Sequence, residues 1–179
     1  MASEPSLDAH KTPHIGCDYS GKVISLAVVE GSKVKAIANL QVGEDLRTSY
    51  QLLKDYFRNA YDEYSCCYEV IIEKPWMRQV SGVRGDTGLF TMRTATILEL
   101  AVTECNMVPV FVYPQTWRKG VYGNGRPKDT KVAAIDFVQE EIGYTLPVMG
   151  KTGRGSKSDH NIAEAILLAY YGNKIHEIS

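Results

Sequence analysis

The chain has 179 residues, 44% of them hydrophobic, with 20 Lys and Arg against 21 Asp and Glu for a formal net charge of −1. That length suffices for one compact domain and is too short for two sizeable ones, and the near-neutral balance excludes a surface coated in positive charge. No run approaches the ~20 apolar residues that span a bilayer, and residues 1–13 are polar where a signal peptide would be apolar, so the chain is expected to be cytoplasmic and not secreted.

The charge is unevenly placed. Residues 1–72 carry 7 basic and 10 acidic side chains, residues 73–158 carry 12 and 8, and residues 159–179 carry 1 and 3, which leaves room for a local basic face in the middle segment. Cys17, Cys66, Cys67 and Cys105 form neither CxxC pairs nor a zinc pattern and read as reduced structural thiols.

In chain order, a polar arm over 1–13 precedes His14-Ile-Gly-Cys-Asp18, a turn at 19–22, and a β-branched run over 23–29; Gly31-Ser32 breaks that run before a further strand over 34–42. Together these predict a three-strand antiparallel meander. Apolar residues at Leu46, Tyr50, Leu53, Phe57, Ala60, Tyr61 and Tyr64 follow helical spacing and predict a helix over 44–64. A short buried strand over 68–73 is halted by Lys74-Pro75, which leaves Glu73 at its C-terminal end.

A Gly-rich basic loop over 77–88 then leads to a helix over 89–106, a fifth strand over 108–113 and a short helical turn over 115–119. A glycine-rich loop over 120–127 precedes a helix over 128–142, and a second basic loop over 146–157 precedes the last helix, expected over 159–171 and closed by Gly172 as a left-handed cap. The expected product is an α/β fold with a five-stranded mixed sheet, antiparallel meander first and parallel strands after, flanked by helices. The domain is expected over 14–173, with a tail over 174–179.

Three segments set an acid beside apolar sequence, where an unpaired charge is costly to bury. They are Asp18 after Ile15-Gly16-Cys17, Glu73 after Val70-Ile71-Ile72, and Glu164 within a run otherwise apolar from Ile162 to Tyr171. Each has an ordinary reading too: Asp18 suits the start of the Ser20-Gly21 turn, Glu73 a surface pair with Lys74 or Arg78, and Asp159 the N-cap of the last helix. Glu164 is the hardest to read that way, because a helix so apolar is buried and its acid then needs a cation. His160 falls on the same side of that helix at four-residue spacing, with Asn161 at three.

Carboxylates gathered from distant segments are what two-metal hydrolysis of a phosphodiester requires, and hard oxygen donors suit Mg²⁺, with Mn²⁺ as a substitute. Basic residues cluster in the loops beside them: Arg78 and Arg84; Arg118, Lys119, Arg126 and Lys128; and Lys151, Arg154 and Lys157. They are expected to contact nucleic-acid phosphates, and among the interleaved aromatics Trp76, Phe90, Trp117 and Tyr122 the first choices for stacking on exposed bases are Trp76 and Tyr122, with core packing the expected role of Phe90.

Ile-Gly-Cys-Asp18 leading into a meander, Val-Ile-Ile-Glu73 ending the fourth strand, and Asp159-His-Asn-Ile-Ala-Glu164-Ala-Ile-Leu-Leu-Ala on a terminal helix resemble the RuvC-like Holliday junction resolvases of the ribonuclease H-like superfamily. The resemblance spans residues 15–172 and implies a Mg²⁺-dependent endonuclease for four-way DNA junctions with catalytic Asp18, Glu73, His160 and Glu164. It implies that Asp18 bridges two ions, that Glu73 binds one, and that Glu164 with His160 or Asp159 completes the set. Asn161 departs from the common pattern, since many relatives have an acidic residue or histidine there. The resemblance also implies a homodimer, for which the helix around 89–105 is the candidate interface, and residence in whichever compartment of the host cell holds the DNA. A less selective nuclease for flaps, forks or packaging intermediates, and a non-catalytic nucleic-acid-binding domain, are the competing expectations for the same fold.

Overall fold

Residues 14–41 form a ladder of three strands because short turns join runs of alternating or continuous apolar sequence. In the computed structural model, which describes residues 12–20, 22–64, 69–74, 85–125, 127–147 and 157–177, β1 (His14–Ser20) pairs antiparallel with β2 (Val23–Glu30), and β2 pairs antiparallel with β3 (Lys33–Gln41). The second turn places Gly31 at φ +60°, a conformation that favours glycine. After α1 (Leu46–Tyr64), β4 (Glu69–Glu73) lies parallel to β1, and after α2 (Gly85–Glu104), β5 (Val108–Val112) lies parallel to β4. The sheet order is β3-β2-β1-β4-β5, the mixed sheet expected from the sequence.

Alternation along the strands divides the core in two. Ile15, Cys17, Ile24, Leu26, Val70 and Ile72 face Leu53 and Phe57 of α1 and Leu98 and Val102 of α2. Ala27, Val29 and Ile71 face α3 (Pro114–Tyr122), α4 (Thr130–Glu140) and α5 (Lys157–Glu177). The buried Cys17 and Cys105 are free thiols. Among the described residues, no helix is long and apolar enough to cross a membrane.

α5 is apolar on every side because every side is covered: Ile162, Ala163 and Ala165 through Ala169 are all buried, against the sheet on one side and α3 and α4 on the other. Gly16 allows the closest approach. A Cβ there would overlap the carbonyl oxygen of Ala165 and lie 2.5 Å from the Ala169 nitrogen, so helix backbone rests directly on strand backbone.

Three elements depart from the sequence expectation by more than two residues. α2 starts a turn early at Gly85, and the turn expected over 115–119 is a nine-residue helix with Pro114 in its first turn, where a missing N–H is harmless. α5 runs through Gly172 to Glu177, into the segment expected as a tail, so Gly172 is no cap. Its role is again close approach, since a Cβ would lie 2.8 Å from the His14 ring and 2.9 Å from Ile71. One residue further, the Asn173 amide donates to the carbonyls of Val29 and Ala169, and its oxygen accepts from the Gly31 N–H and meets His14 Nδ1, so the far end of α5 is clipped to β1 and β2.

Candidate active site

The β1–β4 register pairs Cys17 with Ile72, which brings the next residues, Asp18 and Glu73, side by side at the C-terminal edge of adjacent parallel strands. Asp18 shares the α5-facing side with Gly16, and Glu73 shares it with Ile71. α5 lies antiparallel to β1 over this side. From Gly172, opposite His14, back to Glu164 is eight residues, about 12 Å of helix; from His14 to Asp18 is four residues, about 13 Å of strand. The two lengths match, so Glu164 arrives above Asp18.

All three carboxylates are substantially buried, with Asp18 at 7% exposure and Glu164 at 9%. Burial raises the Asp18 carboxyl well above the usual range, the charges of Glu164 and Glu73 raise it further, and Arg118 and the Tyr19 N–H oppose them. Glu73 is raised by burial, lowered by the Trp117 hydrogen bond and Arg118, and raised again by Glu164. Each acid thus stands in the field of the others.

α3 supplies the counter-charge. The Arg118 Nη2 lies 2.7 Å from Glu164 Oε1 and 3.8 Å from Glu73 Oε2. The fully buried Trp117 donates from Nε1 to Glu73 Oε2 at 2.7 Å and carries the Arg118 guanidinium 5.0 Å from its ring centroid. Arg118, expected on a DNA-facing loop, therefore stands inside the acidic cluster, and Trp117, grouped with the stacking aromatics, is enclosed and holds Glu73 instead. Neither role was legible without α3: a Trp-Arg pair one turn after a strand end was the available signal, and it needed the strand order to acquire meaning.

Asp159 lies within the first turn of α5, not at its cap, and is 1% exposed. His160 is partly buried and close enough to Asp129 for its charge to help hold that carboxyl low, after the N–H groups of Val132 and Lys131, which Asp129 caps. Asn161 is buried at 8% exposure. Lys119 and Lys128 are exposed, and the Tyr122 ring is tilted against Trp117 at 6.4 Å and edge-on to Phe137 at 5.6 Å. Arg78, Arg84, Arg126, Lys151, Arg154 and Trp76 lie outside the described residues, as does the side chain of Lys157.

Among the described residues no three His, Cys, Asp or Glu side chains stand ready-made around a metal position. Asp18, Glu73 and Glu164 nevertheless fit a hard divalent cation chemically: they are anionic oxygen donors, crowded enough to repel one another, and two of them already share a guanidinium.

A mixed sheet in this order, with helices on both faces, is the ribonuclease H-like architecture. More narrowly, the fold is that of the RuvC-like Holliday junction resolvases. The chain is similar to T. thermophilus RuvC in complex with a Holliday junction substrate, with TM-score 0.67 and 9% identity over 94% of this chain and 96% of that one. A second Thermus thermophilus RuvC structure gives TM-score 0.64 and 11% identity over 93% and 96%. The yeast mitochondrial Holliday junction resolvase Ydc2 gives 0.57 and 11% over 96% and 83%. No family model and no curated protein matches the sequence.

Proposed function

We propose that this chain is a divalent-metal-dependent DNA endonuclease that resolves four-way junctions by paired nicks. The observation that carries the reading is the meeting of Asp18, Glu73 and Glu164 at one sheet edge, within a fold shared along nearly its whole length with junction resolvases. Asp18, Glu73 and Glu164, with Asp159 or His160, would hold two Mg²⁺ or Mn²⁺ ions. Bound there, such ions make a water more acidic and stabilise the leaving oxygen. Trp117 fixes the rotamer of Glu73, Arg118 balances the acids before the ions arrive, and His160 stands at the start of α5 to orient the attacking water.

Lys119, Lys128 and the basic loops give affinity for phosphates without sequence information. Leu89, Met92 and Leu100, each between 44% and 53% exposed on α2, supply an apolar stripe for a second copy. A C2 dimer would present two sites to opposing strands of a two-fold junction. The protein would act in the compartment that holds the DNA.

The deciding experiment is cleavage of a synthetic four-way junction with nick positions mapped, with and without Mg²⁺. Asp18→Asn and Glu73→Gln should each abolish cleavage and leave junction binding; cleavage retained in either variant removes the assigned site. The Arg118 bridge favours a second reading, a non-catalytic junction-binding domain whose acids are permanently neutralised. Mg²⁺ titration calorimetry separates the two, since that domain would bind no ion.

A further inference from the structure

One face of α3 lines a cleft of about 480 Å³ together with the loop that follows it. The helix contributes Pro114, Gln115, Arg118, Lys119 and Tyr122, whose spacing of one, four, five and eight residues keeps them on one side. Gly123, Asn124, Gly125 and Pro127 of that loop and Thr130, the first residue of α4, complete the lining. Gly123 has φ +69°, in the left-handed region that favours glycine. The volume falls within the ~300–1,000 Å³ of pockets that enclose small organic ligands.

The lining has three kinds of chemistry. Pro114, Pro127 and the Tyr122 ring are flat and apolar; Gln115 and Asn124 carry amides, each offering both donors and an acceptor; Arg118 and Lys119 are cationic. Arg118 belongs to the acidic cluster as well, through its 2.7 Å contact with Glu164, so cleft and cluster share this side chain. Among the described residues its Nε is buried without a hydrogen-bond partner, a donor still to be satisfied where cleft and cluster meet.

Apolar rings, amides and cationic side chains gathered in one cleft are the features that hold a base, read its edge and fix its phosphate. We infer that this cleft receives one unpaired nucleotide of the DNA, displaced from the branch point next to the phosphate being cut, and that Gln115 and Asn124 read its base. The inference rests on the junction-nuclease reading for its biological setting. It adds the residues by which the enzyme chooses a cutting position among branch points whose phosphates are all alike.

The test has two arms, both on the full chain. In the first, a single-stranded oligonucleotide carrying one 2-aminopurine is titrated without divalent metal, and fluorescence reports whether the base enters an apolar site. Wild type should quench it; Thr130→Trp, which fills the cleft and removes no charge, should not. In the second, four-way junctions with one abasic site at successive positions around the branch are assayed for binding and nick position. One position should stand out with about a tenfold loss of affinity, and Gln115→Ala/Asn124→Ala should flatten that profile and scatter the nicks. A flat abasic profile with wild type, or quenching equally strong with Thr130→Trp, overturns the cleft while junction cleavage stands. Quenching that Thr130→Trp abolishes, in a protein that never cleaves junctions, upholds the cleft and sinks the junction reading.

Discussion

Arg118 reaches across from α3 to place a nitrogen 2.7 Å from Glu164 on α5, with Glu73 of β4 only 3.8 Å from the same nitrogen. One guanidinium thus does for two acids what a divalent ion would do for them, and the two cations must compete. Arg118→Gln should lower the stability of the metal-free protein by about 2 kcal/mol, below the ~3–5 typical of fully buried pairs because the site is partly open. The same substitution should tighten Mg²⁺ binding. Urea unfolding in EDTA and titration calorimetry read the two effects. Weaker ion binding in the variant would show that Arg118 supports the metal site and does not rival it.

Asp18 gives the pH dependence. Its carboxyl is raised above its unfolded value, mainly by burial and then by Glu164 and Glu73, so the folded state holds the proton more tightly than the unfolded state does. Its favourable contribution is therefore complete below the unfolded carboxylate range and is lost as pH rises through the folded value. Asp18→Asn, which is never charged, should match wild type at pH 3.5 and be more stable at pH 7, both without metal. Excess Mg²⁺ should narrow the difference by binding wild type preferentially. Thermal melts at the two pH values check this, and a variant less stable than wild type at pH 7 contradicts it.

The acids were legible in the sequence because a charge amid apolar residues is conspicuous: Glu164 in α5 and Glu73 at the end of β4 stand out against their neighbours. The meander was legible for a similar reason, since β-branched runs and turn residues are local signals, whereas the order of the strands in the sheet was not. What remained hidden depended on tertiary proximity. Trp117 and Arg118 lie in a segment of mixed composition, and only the β4–β5 pairing and the α3 helix bring them to Glu73. Gly172 was misread because glycine after an apolar helix most often ends it, whereas here its missing side chain makes room for His14 and Ile71.

Gly16 tests whether helix placement builds the site. Any side chain there meets the backbone of Ala165 and Ala169, which cannot rotate away as a side chain would. Gly16→Ala should therefore cost about 3 kcal/mol, the upper end of ordinary overpacking, and lower Tm by about 10 °C for a chain of this size. α5 must lift, and Glu164 moves with it. Divalent-ion affinity should fall in the fraction that still folds. A variant with wild-type Tm and ion binding would mean that α5 does not rest on β1 as described.

Leu89, Met92 and Leu100 face outward on α2 while Leu98, Ala101 and Val102 of the same helix are buried in the first core. A helix apolar on both sides is under-satisfied as a monomer surface, and aligned copies of this stripe would shield each other from water. Leu100→Glu leaves the buried side untouched, so it should fold normally and run as a monomer by light scattering where wild type should run as a dimer. Paired nicking should then give way to single nicks, because each strand would be cut by an independent encounter. If wild type is itself monomeric at micromolar concentration yet still produces paired nicks, the stripe on α2 has another purpose.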